Sequence, residues 1–137
     1  MQVQPYLFFD GRCEEAVRFY ERALGAQVLM LVRNRDAPGI EAPAPGTGHH
    51  VNHAAFRLGD SVIMAADDAD GGPMPFRGFA LSIRAAGEAE ARRVFDALAD
   101  GGRVERPLGP TFWSPAYGAL TDRFGIGWMV SVPGDAG

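Results

Sequence analysis

The feature that most constrains this chain is a pattern written twice: a short apolar strand, an amphipathic helix that ends near glycine, and a glycine-turned hairpin. The first copy begins at Val3-Gln4-Pro5-Tyr6-Leu7-Phe8-Phe9, runs through Glu14-Glu15-Ala16-Val17-Arg18-Phe19-Tyr20, and closes at Leu58-Gly59-Asp60-Ser61-Val62-Ile63-Met64. The second begins at Phe79-Ala80-Leu81-Ser82-Ile83, runs through Glu88-Ala89-Glu90-Ala91-Arg92-Arg93-Val94-Phe95, and closes at Arg123-Phe124-Gly125-Ile126-Gly127-Trp128-Met129. Ala16 and Tyr20 match Ala91 and Phe95 at an offset of 75 residues (91 − 16, 95 − 20). That period is too long for a solenoid and fits one domain built from two halves around a shared pocket.

Cys13, Ala16, Val17, Tyr20, Ala23 and Leu24 recur at helical spacing, with Glu14 and Glu15 in the first turn and Gly25 placed to end the helix. Gln27 to Val32 reads as a strand, and Asp36 to Gly48 as a long proline- and glycine-dense loop. His53–Leu58 and Ser61–Ala66 form a hairpin across Gly59-Asp60; Asp68 to Pro75, with Gly71-Gly72-Pro73, links the halves. In the second half Phe79 to Ile83 repeats the opening strand, and Ala91, Val94, Phe95, Leu98 and Ala99 form the helical stripe. Val104 opens a short strand, Pro107 to Pro115 is a loop, and Tyr117–Asp122 pairs with Trp128–Val132. Each half therefore reads strand, helix and three strands, a mixed sheet with its helix on one face.

At 137 residues, with 47% hydrophobic and 22% charged residues, the chain has the length and balance of one globular domain over 1–137, with modules at about 3–67 and 77–132. A net charge of −4 without a lysine or arginine run speaks against nucleic acid or an anionic membrane as partner. The lone Cys13 forms no internal disulfide, and an unpaired thiol is commoner in reducing compartments. Neither a leader-like start nor a bilayer-spanning stretch is present, so the expected address is cytoplasmic.

Several phrases are harder to reach by composition. They are Pro5-Tyr6-Leu7, Phe19-Tyr20 with Leu24-Gly25-Ala26, Gly59-Asp60 with Ile63-Met64 and Asp67, and the run Thr111-Phe112-Trp113, Tyr117-Gly118, Thr121-Asp122-Arg123-Phe124-Gly125, Trp128-Met129. Together they resemble the vicinal oxygen chelate superfamily (glyoxalase I, extradiol dioxygenases, fosfomycin- and bleomycin-resistance proteins), and within it the PhnB-like branch. The resemblance implies an α+β fold of two βαβββ modules whose curled mixed sheets surround a cavity, usually completed by homodimerisation. Members of this branch have often carried the label 3-demethylubiquinone 3-methyltransferase. The sequence gives that activity no support, because its glycine-rich segments are loops and turns and not a strand-to-helix cofactor fingerprint.

In the metal-dependent members, His, Gln or Glu on the first and last strand of each module hold a divalent Lewis-acid ion. Carried over by the helix phrases, those positions fall near Pro5 and Phe79 on the opening strands, around Ile63, and on Met129. Proline, phenylalanine and isoleucine supply no ligand, and a thioether is too soft for a hard ion, so we expect no metal of the family type and no cofactor. His49, His50 and His53 are the other imidazoles; on an extended strand His49 and His53 would share a face, and Asp67 or Asp60 could join them. Paired loop histidines without a fixed third ligand are weak metal evidence. The favoured reading makes His49 and His50 a solvated loop end and His53 a hydrogen-bonded strand residue. Asp67, Asp68 and Asp70 read as a solvated linker, and Cys13 as a core residue.

Phe112, Trp113 and Tyr117 either cap a ligand pocket or form a plug or dimer contact. On the last strand Met129 and Ser131 share one face, opposite Trp128, Val130 and Val132, and the polar member points to the cavity side. The expected ligand-binding set is His53, Phe112, Trp113, Tyr117, Met129 and Ser131, with His53 the candidate acid or base. The leading expectation is a homodimer that binds a small planar or apolar organic molecule without metal. The alternatives are a lyase, isomerase or dioxygenase-type enzyme using His53 with a recruited metal, and an interaction module whose cavity is filled by its own side chains.

Overall fold

Each copy of the sequence pattern folds into its own unit, Met1–Met74 and Pro75–Gly137. The computed structural model describes residues 1–39, 43–68 and 75–134. In the first unit β1 (Tyr6–Phe9) leads to α1 (Cys13–Leu24), β2 (Gln27–Arg33), β3 (Val51–Leu58) and β4 (Ser61–Asp67). The sheet order is β1-β4-β3-β2, with β1 parallel to β4 and the other pairs antiparallel. The second unit repeats this with β5 (Leu81–Arg84), α2 (Glu88–Ala99), β6 (Arg103–Gly109), β7 (Tyr117–Thr121) and β8 (Gly127–Ser131), in the order β5-β8-β7-β6. Both are therefore βαβββ modules with mixed four-stranded sheets, the α+β architecture expected.

Periodicity explains the helices. Cys13, Ala16, Val17, Phe19 and Tyr20 are the buried face of α1, and Gly25 ends it at φ 68°, its amide returning to the Glu21 carbonyl at 3.0 Å. No side chain of Arg12 caps its start. Instead the carboxylate of Asp67, at the end of β4, accepts the amides of Gly11 (2.8 Å) and Cys13 (3.0 Å) with one oxygen and that of Val51 (2.8 Å) with the other. A negative charge at this helix end is doubly favoured, by its hydrogen bonds and by the dipole. Cys13 is fully buried, and burial pushes its thiol well up from the ordinary range, as expected of a core residue. On α2, Ala91, Val94, Phe95 and Leu98 are buried.

Several boundaries differ from the sequence expectation. β1 starts at Tyr6 and not at Val3, which is exposed; β5 spans Leu81–Arg84, leaving Phe79 outside the strand. Pro107 and Leu108 belong to β6 and not to a loop. This strand lies at the sheet edge and its register slips between Val104 and Arg106 and again before Gly109, where a residue without an amide proton is tolerated. The long loop opens with a 3-10 turn at Asn34–Asp36. Gly71-Gly72-Pro73 and Asp70 lie outside the described residues. Among the described residues no helix is long and apolar enough to cross a membrane.

Candidate functional site

In each unit the helix covers one sheet face, and strand alternation decides which side chains stand on the other. In the second unit Gly118, Leu120, Trp128 and Val130 are buried, whereas Tyr117, Ala119, Met129 and Ser131 are half-exposed. Register then builds two rows on this open face. One runs Ser82, Met129, Ala119, Arg106; the other runs Arg84, Ser131, Tyr117, Gly109. The expected sharing of a face by Met129 and Ser131 is found.

These residues also touch. The Tyr117 hydroxyl donates to Met129 Sδ at 3.3 Å, and the Arg106 guanidinium lies 5.1 Å from the centre of the Tyr117 ring, within cation–π range. Trp113 sits 5.3 Å from Tyr117, centroid to centroid, at 59°, and Phe112 lies 4.9 Å from Trp113 at 74°. The loop that carries the aromatics is tied down. Thr111 Oγ1 accepts the amides of Trp113 (3.3 Å) and Ser114 (3.0 Å), while buried Ser114 Oγ accepts the Ala116 amide and reaches the Ala116 and Val132 carbonyls. Phe112 is nonetheless 97% exposed and Trp113 44%. Five of the six expected ligand-binding residues, Phe112, Trp113, Tyr117, Met129 and Ser131, thus gather within the second unit.

The sixth, His53, belongs to the first unit. Its Nδ1 lies 2.9 Å from the Tyr6 hydroxyl, and the Tyr6 ring stacks on Phe8 at 4.8 Å and 21°. Tyr6 and His53 stand on β1 and β3, with β4 between them. Tyr6 lies opposite Met64 of β4, and its hydroxyl reaches His53 diagonally across that strand. Partial burial raises the Tyr6 phenol further above its ordinary value. The expected alternation of His49 with His53 fails, because β3 begins only at Val51. His49 and His50 instead pack edge to face at 4.6 Å in the preceding loop. Asp67 is no linker residue either, since three backbone amides occupy its carboxylate.

The family's metal positions shift in this register. Ile63 lies opposite Phe56, which stacks on Tyr20 of α1, so Ile63 faces the helix, and Pro5 precedes β1. Met129 stands on the open face of its sheet, so its counterpart on β4 is an open-face residue, Met64 or Ala66, and not Ile63. The open-face residues of β1 and β4 are Tyr6, Phe8, Met64 and Ala66. Phenols, thioethers and methyl groups do not form the His and carboxylate set that a hard divalent ion requires, so these positions do not fit one. Among the described residues no three His, Cys, Asp or Glu side chains converge. Sequence reasoning missed Tyr6 and Arg106; the alternation of Tyr6 and Phe8 on β1 was the available signal for the first.

A cavity of about 400 Å³ lies beside the start of α2, lined by Glu88, Arg92, Leu108, Gly109, Pro110 and Pro115 among others. It contains none of the six expected residues.

Known proteins match this arrangement over almost its whole length. The model of the Glyoxalase/Bleomycin resistance protein/Dioxygenase superfamily matches residues 2–130. The chain belongs to that superfamily. Protein YjdN of Escherichia coli (strain K12) is 33% identical over 144 residues, covering 96% of this chain and 95% of that protein. The crystal structure of protein PA1353 from Pseudomonas aeruginosa superposes with a TM-score of 0.89 at 39% identity, over 98% of this chain and 99% of that one. A Bacillus cereus PhnB protein, described as a putative 3-demethylubiquinone-9 3-methyltransferase, superposes with a TM-score of 0.82 at 27% identity, over 96% and 99%. Within the glyoxalase superfamily the chain therefore has PhnB-like relatives, as the sequence phrases implied.

Proposed function

We propose that this glyoxalase-superfamily protein binds a small, planar or apolar organic molecule through its open sheet faces, without the family metal. The observation that carries this reading is the set Trp113, Tyr117 and Met129, flat and polarizable surfaces of which the first is held by the fastened 111–116 loop and the others by β7 and β8, with Arg106 and Ser131 at hand for polar atoms. Such a mixture of apolar area and few polar groups is what small-molecule sites are made of. The donor set on β1, β4, β5 and β8 gives a metal-centred reaction no first shell. We read the protein as cytoplasmic, on its unpaired Cys13, and as a homodimer, on its family and on the exposure of Phe8, Met30, Phe79 and Phe112.

Thermal shift and calorimetry with planar aromatic compounds, and separately with divalent metals, test this reading. Aromatic compounds alone should raise the melting temperature, and Trp113→Ala should weaken the response about fivefold, the scale of one lost aromatic contact. Stabilisation that requires a stoichiometric metal would favour the enzyme centred on His53 instead. Sedimentation at micromolar concentration checks the dimer.

A further inference from the structure

We propose that Tyr6 holds His53 as the Nε2–H tautomer, so that the open face of the first unit offers one hydrogen-bond donor to a carbonyl oxygen on an aromatic ligand. This rests on the ligand-binding reading above and narrows it to a class of molecule.

A neutral imidazole carries one N–H, and the partner of one nitrogen decides where it sits. Tyr6 Oη lies 2.9 Å from His53 Nδ1. A phenol is a good donor and a poor acceptor, whereas a bare imidazole nitrogen is a good acceptor, so the bond runs from O–H to Nδ1. The phenol keeps its proton at neutral pH, since its ordinary value of 10.0 is already well above neutrality and partial burial raises it. The ring proton then belongs on Nε2. Among the described residues Nε2 has no hydrogen-bond partner, although His53 is already half-buried. Around the pair the face is apolar: Phe8 stacks on Tyr6, Met64 lies opposite Tyr6, and Met30 continues the row through Ala55. A flat hydrocarbon laid on this surface would cover the N–H and leave it unsatisfied. A molecule of the same shape with a carbonyl oxygen would satisfy it, and sites built around a fixed donor reject analogues that lack the acceptor.

Nitrogen-15 spectra of the histidine rings at a pH of about 8, where imidazole is neutral, test the tautomer directly. His53 Nδ1 should show the shift of an unprotonated ring nitrogen and Nε2 that of a protonated one, and Tyr6→Phe, which keeps the stack on Phe8, should move both toward the mixed values of a free imidazole. A protonated Nδ1 in the unaltered protein, or shifts that ignore the loss of the hydroxyl, would overturn the assignment. Should Tyr6→Phe fail to fold, the unaltered spectrum still decides. For selectivity the probes are fluorenone and fluorene, which share one outline and differ by the carbonyl. Fluorenone should bind about tenfold more tightly, His53→Leu should erase that preference, and His53→Gln, which retains an N–H donor, should restore part of it. Equal affinity for the two probes overturns the ligand class. Binding of neither sinks the ligand-binding reading itself, while the spectra still judge the tautomer.

Discussion

In the first unit Leu7 of the opening strand lies beside two alanines, Ala65 and then Ala54; on the opening strand of the second unit Leu81 is flanked by Trp128 and Leu120. The missing bulk of the first unit comes from its helix and a neighbouring strand position, where Tyr20 stacks on Phe56 at 5.8 Å. In the second unit the indole of Trp128 fills the space, and Gly118 makes room for Phe95, whose ring would lie 2.7 Å from an added Cβ. A shared topology thus fixes how much volume each layer holds but not which strand supplies it. The polar fastenings differ likewise. Asp67 of the first unit ties a strand end to a helix start, whereas Asp122 of the second, 3% exposed, accepts the amides of Phe124 and Ile126 and the indole N–H of Trp128.

The sharpest way to break this comparison is Trp128→Ala. It removes the second unit's main core side chain and one partner of Asp122, and should cost about 4 kcal/mol, read by urea unfolding. Hydrogen exchange should rise in residues 75–134 well before 1–68. Asp122→Ala strands three donors at a buried corner and should cost about 3 kcal/mol, with loss of the near-ultraviolet signal of Trp128. Asp67→Ala, at a half-buried site, should cost about 2 kcal/mol, with faster exchange at Gly11, Cys13 and Val51. An equal loss from both aspartate variants would show that the two fastenings are equivalent after all. The smallest effect is alkaline. Cys13 titrates near 9.0 when solvated and higher when folded. Its contribution is therefore complete below about pH 9 and declines above it, as the unfolded chain releases a proton that the folded chain keeps, by up to about 1.4 kcal/mol per pH unit. Urea midpoints across that range should slope less in Cys13→Ala.

Much of this fold was legible because it rests on local periodicity. The stripe from Cys13 to Tyr20, the stop at Gly25, the hairpin at Gly59-Asp60 and the faces of the last strand follow from spacing alone. Pro107 misled because a proline argues against a strand unless the strand is known to be an edge, and edges are decided by pairing. The same limit applies to the site. Tyr6 and His53 are 47 residues apart and meet only because β4 threads between β1 and β3 and brings those two strands within reach of each other. A site position placed around Ile63 misses the open face, because a one-residue offset reverses every side chain of a strand.

The carboxylate of Asp67 has a consequence for how the protein is born. All three amides that it accepts precede it in the chain, by 56, 54 and 16 residues. On the ribosome the first turn of α1 therefore emerges long before its acceptor is made, and water must serve those amides in the interval. Only when β4 has been synthesised and drawn alongside β1 is that turn locked, so α1 is secured only once the last strand of its own unit is in place.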